Sequence, residues 1–150
     1  MEQLSDHFSL QEMLLSPTAI AEGYEEQNHP SESVISNLNA LCDNILEPLR
    51  IKIDAPITVT SGYRCPRVNT KIGGATNSQH LYGQAADINA KGYTVEQLYQ
   101  FIKKSDLHYD QLIQEFGAWA HVSYGPLDRR QNLRATKVNG HTVYTEDREA

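Results

Sequence analysis

The chain has 150 residues, 39% hydrophobic and 21% charged, with a net charge of −6; this is ordinary for a globular protein and enough for one compact domain, 1–150, with its own core. No stretch approaches the ~20 apolar residues of a membrane span, and an acidic balance without a long basic run excludes electrostatic docking on nucleic acid or anionic membranes. Residues 1–13, MEQLSDHFSLQEM, carry acids and no apolar core, so synthesis in the cytoplasm without a signal peptide is expected.

Ser9 and Glu12 form a capping box that opens a first helix running toward Pro17. Residues 23–30 are polar and read as a loop. A longer helix starts near Ser31, its apolar face carried by Val34, Ile35, Leu38, Leu41, Cys42, Ile45, Leu46 and Leu49, and Pro48 predicts an end or bend near Glu47. Ile57 to Thr60 is a β-branched strand. Pro66 suits the first turn of a short helix that Gly73 and Gly74 close. Gln84 to Asn89 reads as a strand of small residues, and Thr94 with Gln97 caps a helix whose core face is Leu98, Phe101 and Ile102.

Tyr109 to Glu115 and Trp119 to Tyr124 flank a three-residue loop and form a hairpin, and Asn139-Gly140 joins Ala135–Val138 to His141–Tyr144 in a second one. Helices dominate early and strands late, which defines an α+β class: a small antiparallel sheet packed with helices. The domain core is expected over residues 4–145, with a charged tail fraying after Tyr144. Cys42 and Cys65 match no CxxC pair and are expected as buried thiols.

The chemistry concentrates in a few positions. His80 precedes Asp87 by seven residues, with Gly83, Ala85 and Ala86 between them allowing close backbone approach. Asp87 stands at the edge of an apolar strand, where a carboxylate needs a cation or hydrogen-bond donors. His121 lies on the second hairpin strand; if Glu115 pairs with Trp119, then Glu115, Trp119, His121 and Ser123 share one face. Two imidazoles and one carboxylate leave a fourth position open, the pattern of catalytic zinc, with Glu115 placed as general base. The same donors suit other divalent metals, and a purely structural role for these residues stays open on spacing alone. His7, His29, His108 and His141 lack comparable surroundings.

The run Ser78-Gln79-His80-Leu81-Tyr82-Gly83-Gln84-Ala85-Ala86-Asp87-Ile88 resembles the S-x-H-x-x-G-x-A-x-D signature of the zinc D-Ala-D-Ala peptidases, in the hedgehog/D-Ala-D-Ala-peptidase superfamily. Ser61-Gly62-Tyr63-Arg64 looks like the family's upstream block, and Trp119-Ala120-His121-Val122-Ser123 like its third-ligand strand. The resemblance spans residues 4–135 and is nearest to the small branch common in phages and prophages.

It implies a hedgehog/DD-peptidase-like fold and one zinc per chain on His80, Asp87 and His121. It further implies Arg64 and Glu115 as catalytic groups, with Ser78, Trp119 and Tyr82 near substrate; Tyr124 is a weaker cleft candidate. The implied activity is hydrolysis of peptidoglycan stem peptides, as a D-Ala-D-Ala carboxypeptidase or an L-Ala-D-Glu endopeptidase, by a monomer. A phage-type lysin released after holin action would need no leader. One departure stands out: position 118 is Ala, so the family's acid three residues before the last His is absent, and Glu115 stands six before it, as in hedgehog proteins. The alternative is a non-enzymatic zinc-binding module in phage structure or assembly.

Overall fold

The computed structural model describes residues 2–147. Ser9 caps α1 (Leu10–Leu14) through the Glu12 amide, as expected, and Ser16 caps a separate helix, α2 (Pro17–Glu22), with Pro17 in its first turn. The polar stretch after it holds one 3-10 turn, Glu25–Asn28. α3 (Glu32–Leu41) starts at Ser31 and buries Val34, Leu38 and Leu41.

At Pro48 the structure departs from a simple stop. The helix widens into a π-type segment, Cys42–Leu46, and then continues as α4 (Glu47–Ile53). Pro48 has no N–H to offer the carbonyl four residues back. The wider turn, with the Glu47 amide bonding the Cys42 carbonyl, carries the apolar face past it. Leu38, Leu41, Cys42, Ile45, Leu46 and Leu49 are all fully buried. Cys42 and Cys65 are free, buried thiols, and burial pushes the Cys42 thiol up to about 12.

Six strands follow among the described residues: β1 (Ile57–Ser61), β2 (Ala85–Ala90), β3 (Gln111–Glu115), β4 (Trp119–Ser123), β5 (Gln131–Val138) and β6 (His141–Glu146). Helix α5 (Pro66–Lys71) lies between β1 and β2, and α6 (Val95–Lys103), opened by the Thr94/Gln97 capping box, between β2 and β3. The sheet order is β1-β2-β4-β3-β5-β6. All pairs are antiparallel except β3–β5, which is parallel, so the sheet is mixed where the sequence reading expected antiparallel pairing throughout.

The parallel pair follows from how the chain leaves β4. Residues 124–130 cross beneath the start of β3 and bring β5 up on its far side. Asp110, just before β3, holds this crossover: its carboxylate accepts from the Arg129 amide at 3.0 Å and from Arg129 Nε and Nη2 at 2.8 and 2.9 Å. Its carbonyl accepts from the Gln131 amide at 2.9 Å.

The C-terminal tail is also better held than its charge suggested. β6 runs to Glu146, and Asp147 accepts hydrogen bonds from Tyr99 Oη and Lys103 Nζ on α6; the remainder of the charged tail lies outside the described residues.

Asp110 gives a test of this topology. Its carboxyl is 1% exposed and sits below its ordinary value of 3.8, chiefly because Arg129 hydrogen-bonds the charged form. A lowered carboxylate stabilises the fold fully above 3.8, and that contribution fades as pH falls through the folded-state value. Asp110→Ala is expected to lower unfolding free energy by ~2–3 kcal/mol in urea titrations at pH 7, because its charged hydrogen bonds from Arg129 and its bond from Gln79 are lost together. The gap between wild type and variant should narrow below pH 4.

Candidate metal centre

Three elements bring the site together. His80 rides on a 3-10 turn, Gln79–Tyr82, that Ser78 caps through the His80 amide at 3.2 Å and Gly83 closes at φ +73°. Gly83 is needed there twice over: a side chain would strain that φ and meet the Val34 carbonyl at 2.7 Å. Asp87 is on β2 and pairs directly with His121 on β4. Between β1 and β2 the register shifts, so Val59 faces Ile88 while Ser61 faces Asp87, and Thr60 Oγ1 bonds the Asp87 carbonyl at 3.2 Å. This bulge turns the chain toward Arg64 beside the site.

His80 Nε2 lies 3.2 Å and His121 Nδ1 3.0 Å from Asp87 Oδ1, and the three groups' candidate ligand atoms lie within 4.8 Å of one another. Atoms bound to one tetrahedral zinc at about 2.1 Å stand about 3.4 Å apart, so the spacing suits a single small ion. All three side chains are buried. His80 Nδ1 lies 2.7 Å from the Gly62 carbonyl; this fixes a proton on Nδ1 and turns Nε2 toward Asp87. Burial holds the His80 imidazole below its ordinary value against the pull of Asp87, which favours the neutral, ligating form.

For the Asp87 carboxyl, burial acts upward. The charge and hydrogen bonds of His80 and His121 outweigh it and keep the group well below the usual carboxylate range. Its second oxygen, Oδ2, takes Arg64 Nη2 at 3.2 Å. Arg64 is itself held by Ser61 Oγ at 3.1 Å and Asn69 Oδ1 at 3.5 Å.

The hairpin places Glu115 as the register required: Glu115 pairs with Trp119, and Glu115 Oε1 stands 3.6 Å from His121 Nδ1. Its carboxyl is raised, first by burial and further by Asp87, while His121, Trp119 and Arg64 pull it down. The Trp119 Nε1–H is buried without a partner of hydrogen-bonding geometry, so its hold on Glu115 is looser than a formed bond. A cleft of about 960 Å³ opens over these groups and is lined by Arg64, Ser78, His80, Asp87, Glu115, Trp119 and His121 among others.

Of the residues singled out from the sequence for the site, the structure gathers all but Tyr82 and Tyr124. Tyr82 is 48% exposed and outside the cleft lining: in a 3-10 turn, with three residues per turn, residues two apart point to different sides, so Tyr82 diverges from His80; its carbonyl takes Asn37 Nδ2 at 2.8 Å. Tyr124 packs against the apolar core, and His108 faces Asp128 at 3.8 Å. The reading of single residues missed Gly62, Asn69 and Tyr144. Gly62 was visible in the Ser61–Arg64 block; its carbonyl role was not.

An α/β fold with a buried His-Asp-His group that could hold a metal ion defines a candidate metalloprotein. A family model described as Peptidase M15 matches residues 6–123, and the chain belongs to that family. A curated zinc D-Ala-D-Ala carboxypeptidase of Streptomyces albus G is 54% identical over 37 residues, covering 25% of this chain and 14% of that protein. The matched stretch therefore spans only a small part of that relative's length. Family and relative together imply zinc as the cofactor, and the donor set fits it.

Gly62 yields a prediction. A Cβ there would meet the Met13 carbonyl oxygen at 2.5 Å, so an alanine must displace the carbonyl that orients His80. Gly62→Ala is expected to weaken zinc binding about 10–100-fold, the usual effect of disturbing a ligand's outer partner. Competition against a chelating dye measures it; unchanged affinity would refute the orienting role.

Proposed function

We propose that this protein is a zinc-dependent peptidase acting on peptidoglycan stem peptides that contain D-amino acids. The observation that carries this reading is Glu115: a half-buried carboxylate with a raised pKa, beside the His-Asp-His group and on the wall of an open cleft. A purely structural metal site needs no such base at its rim.

In this reading His80, Asp87 and His121 hold the ion. Bound zinc supplies Lewis acidity, which makes water a nucleophile near neutral pH and polarises the scissile carbonyl. Glu115 accepts the proton of the attacking water and passes it to the departing amine; its raised pKa suits both directions of transfer. Arg64 orients Asp87 through Nη2, and two of its five N–H donors remain for the substrate carbonyl. Trp119 forms cleft wall, and Ser78 acts mainly by capping the His80 turn.

The resemblance of the His80–Asp87 run to zinc D-Ala-D-Ala peptidases supports a cell-wall substrate, cut either at D-Ala-D-Ala or at L-Ala-D-Glu. A phage-type lysin that reaches the wall after holin action is one setting in which such an activity would be used.

Digestion of purified peptidoglycan by wild type and Glu115→Ala, with metal content measured on both, tests the proposal. The expected result is about one zinc on each protein, with defined fragments from wild type and at least a ~100-fold slower release from the variant, as removal of a general base costs. The fragments identify the bond. Zinc on both proteins without any cleavage by wild type would replace this reading with a zinc-binding module.

A further inference from the structure

The cleft has a wall that the family match does not reach. The Peptidase M15 match covers residues 6–123, whereas β5 begins at Gln131 and β6 at His141. Across four strands one row of residues lies in register: Trp119 pairs with Glu115, Glu115 with Ala135, and Ala135 with Tyr144. Directly paired residues point to the same side of a sheet, so all four face the cleft. Ala135 is too small to fill its place in the row. The longer Tyr144 side chain can therefore lie over it toward Glu115, and Tyr144 is one of the cleft-lining residues.

Charges at the metal centre reach the phenol. Burial, Glu115 and Asp87 raise its pKa while Arg64 lowers it, so the hydroxyl keeps its proton at neutral pH and remains a donor. The wall is held on both sides. On the cleft side, Lys137 bonds Thr142 Oγ1 at 2.9 Å and sits over the Phe116 ring of the β3–β4 turn. On the opposite face, Arg134 grips Glu96 of α6 through two bonds of 2.7 and 2.9 Å. Tyr144 is nevertheless 55% exposed, open to a ligand in the cleft.

We propose that Tyr144 is a substrate-contacting residue whose hydroxyl donates a hydrogen bond to a main-chain carbonyl of a peptide lying across Glu115. The inference rests on the peptidase reading for the ligand's class, but not on turnover. Residues 131–146 thereby complete the binding cleft.

The test uses Tyr144→Phe, which keeps the ring and removes only the hydroxyl. Trp119 is the single tryptophan of the chain and lines the cleft, so its fluorescence reports binding of a synthetic stem peptide containing L-Ala-D-Glu and D-Ala-D-Ala bonds. With zinc content unchanged, the variant should bind about tenfold more weakly and lose a similar factor in kcat/KM, the scale of one hydrogen bond. Equal binding and equal kcat/KM in both proteins overturn the role of Tyr144 and leave the peptidase reading standing. Binding that depends on Tyr144 without cleavage by wild type overturns the peptidase reading alone. No binding to wild type overturns both.

Discussion

A carboxylate buried among apolar strands is unstable unless its charge is met, and Asp87 imposes that condition on this fold. Its two oxygens are shared among three partners: His80 and His121 at Oδ1, and Arg64 at Oδ2. Each partner comes from a different element, so the condition fixes the β1 bulge, the 3-10 turn and the β4 register relative to one another. A metal ion held by the same groups would add its own positive charge to theirs.

The sheet carries this arrangement through its order. β4 lies between β2 and β3, so one neighbour presents Asp87 to His121 and the other presents Glu115. Ligand-type and base-type groups thus sit on adjacent strands of a rigid layer. Asp110 fixes both the crossover into β5 and, through Gln79 Nε2 at 3.0 Å, the turn that carries His80. One buried carboxylate therefore ties the position of the outer hairpin to that of the metal group. Close packing does the rest: the Gly62 backbone lies against Met13 so tightly that no side chain fits.

Much of this was legible in the residues. The helix starts at Ser9, Ser31 and Thr94 follow from capping chemistry, which is local. The Glu115–Trp119 pairing follows from loop length, and with it the shared face of Glu115 and His121. Pro48 was readable as a disturbance but not as a π-type widening, because whether a helix ends or accommodates depends on the apolar face beyond, which here continues to Leu49 and Ile53. The parallel β3–β5 pair was not legible, since alternation encodes which face is buried and not which strand lies alongside. Tyr144 was hidden for the same reason: its place in the site exists only through two successive registers, β3 to β5 and β5 to β6. Tyr82 misled because nearness in sequence to His80 does not mean a shared direction: on a 3-10 turn two residues apart point to different sides.

Zinc-edge X-ray absorption on protein loaded with one equivalent of zinc tests most directly whether His80, Asp87 and His121 hold one ion together. The expected result is two imidazole nitrogens and carboxylate oxygen at about 2.0–2.2 Å, with no sulfur, because both cysteines are buried outside the cleft lining. Sulfur scattering at about 2.3 Å, or failure to retain stoichiometric zinc, would contradict it.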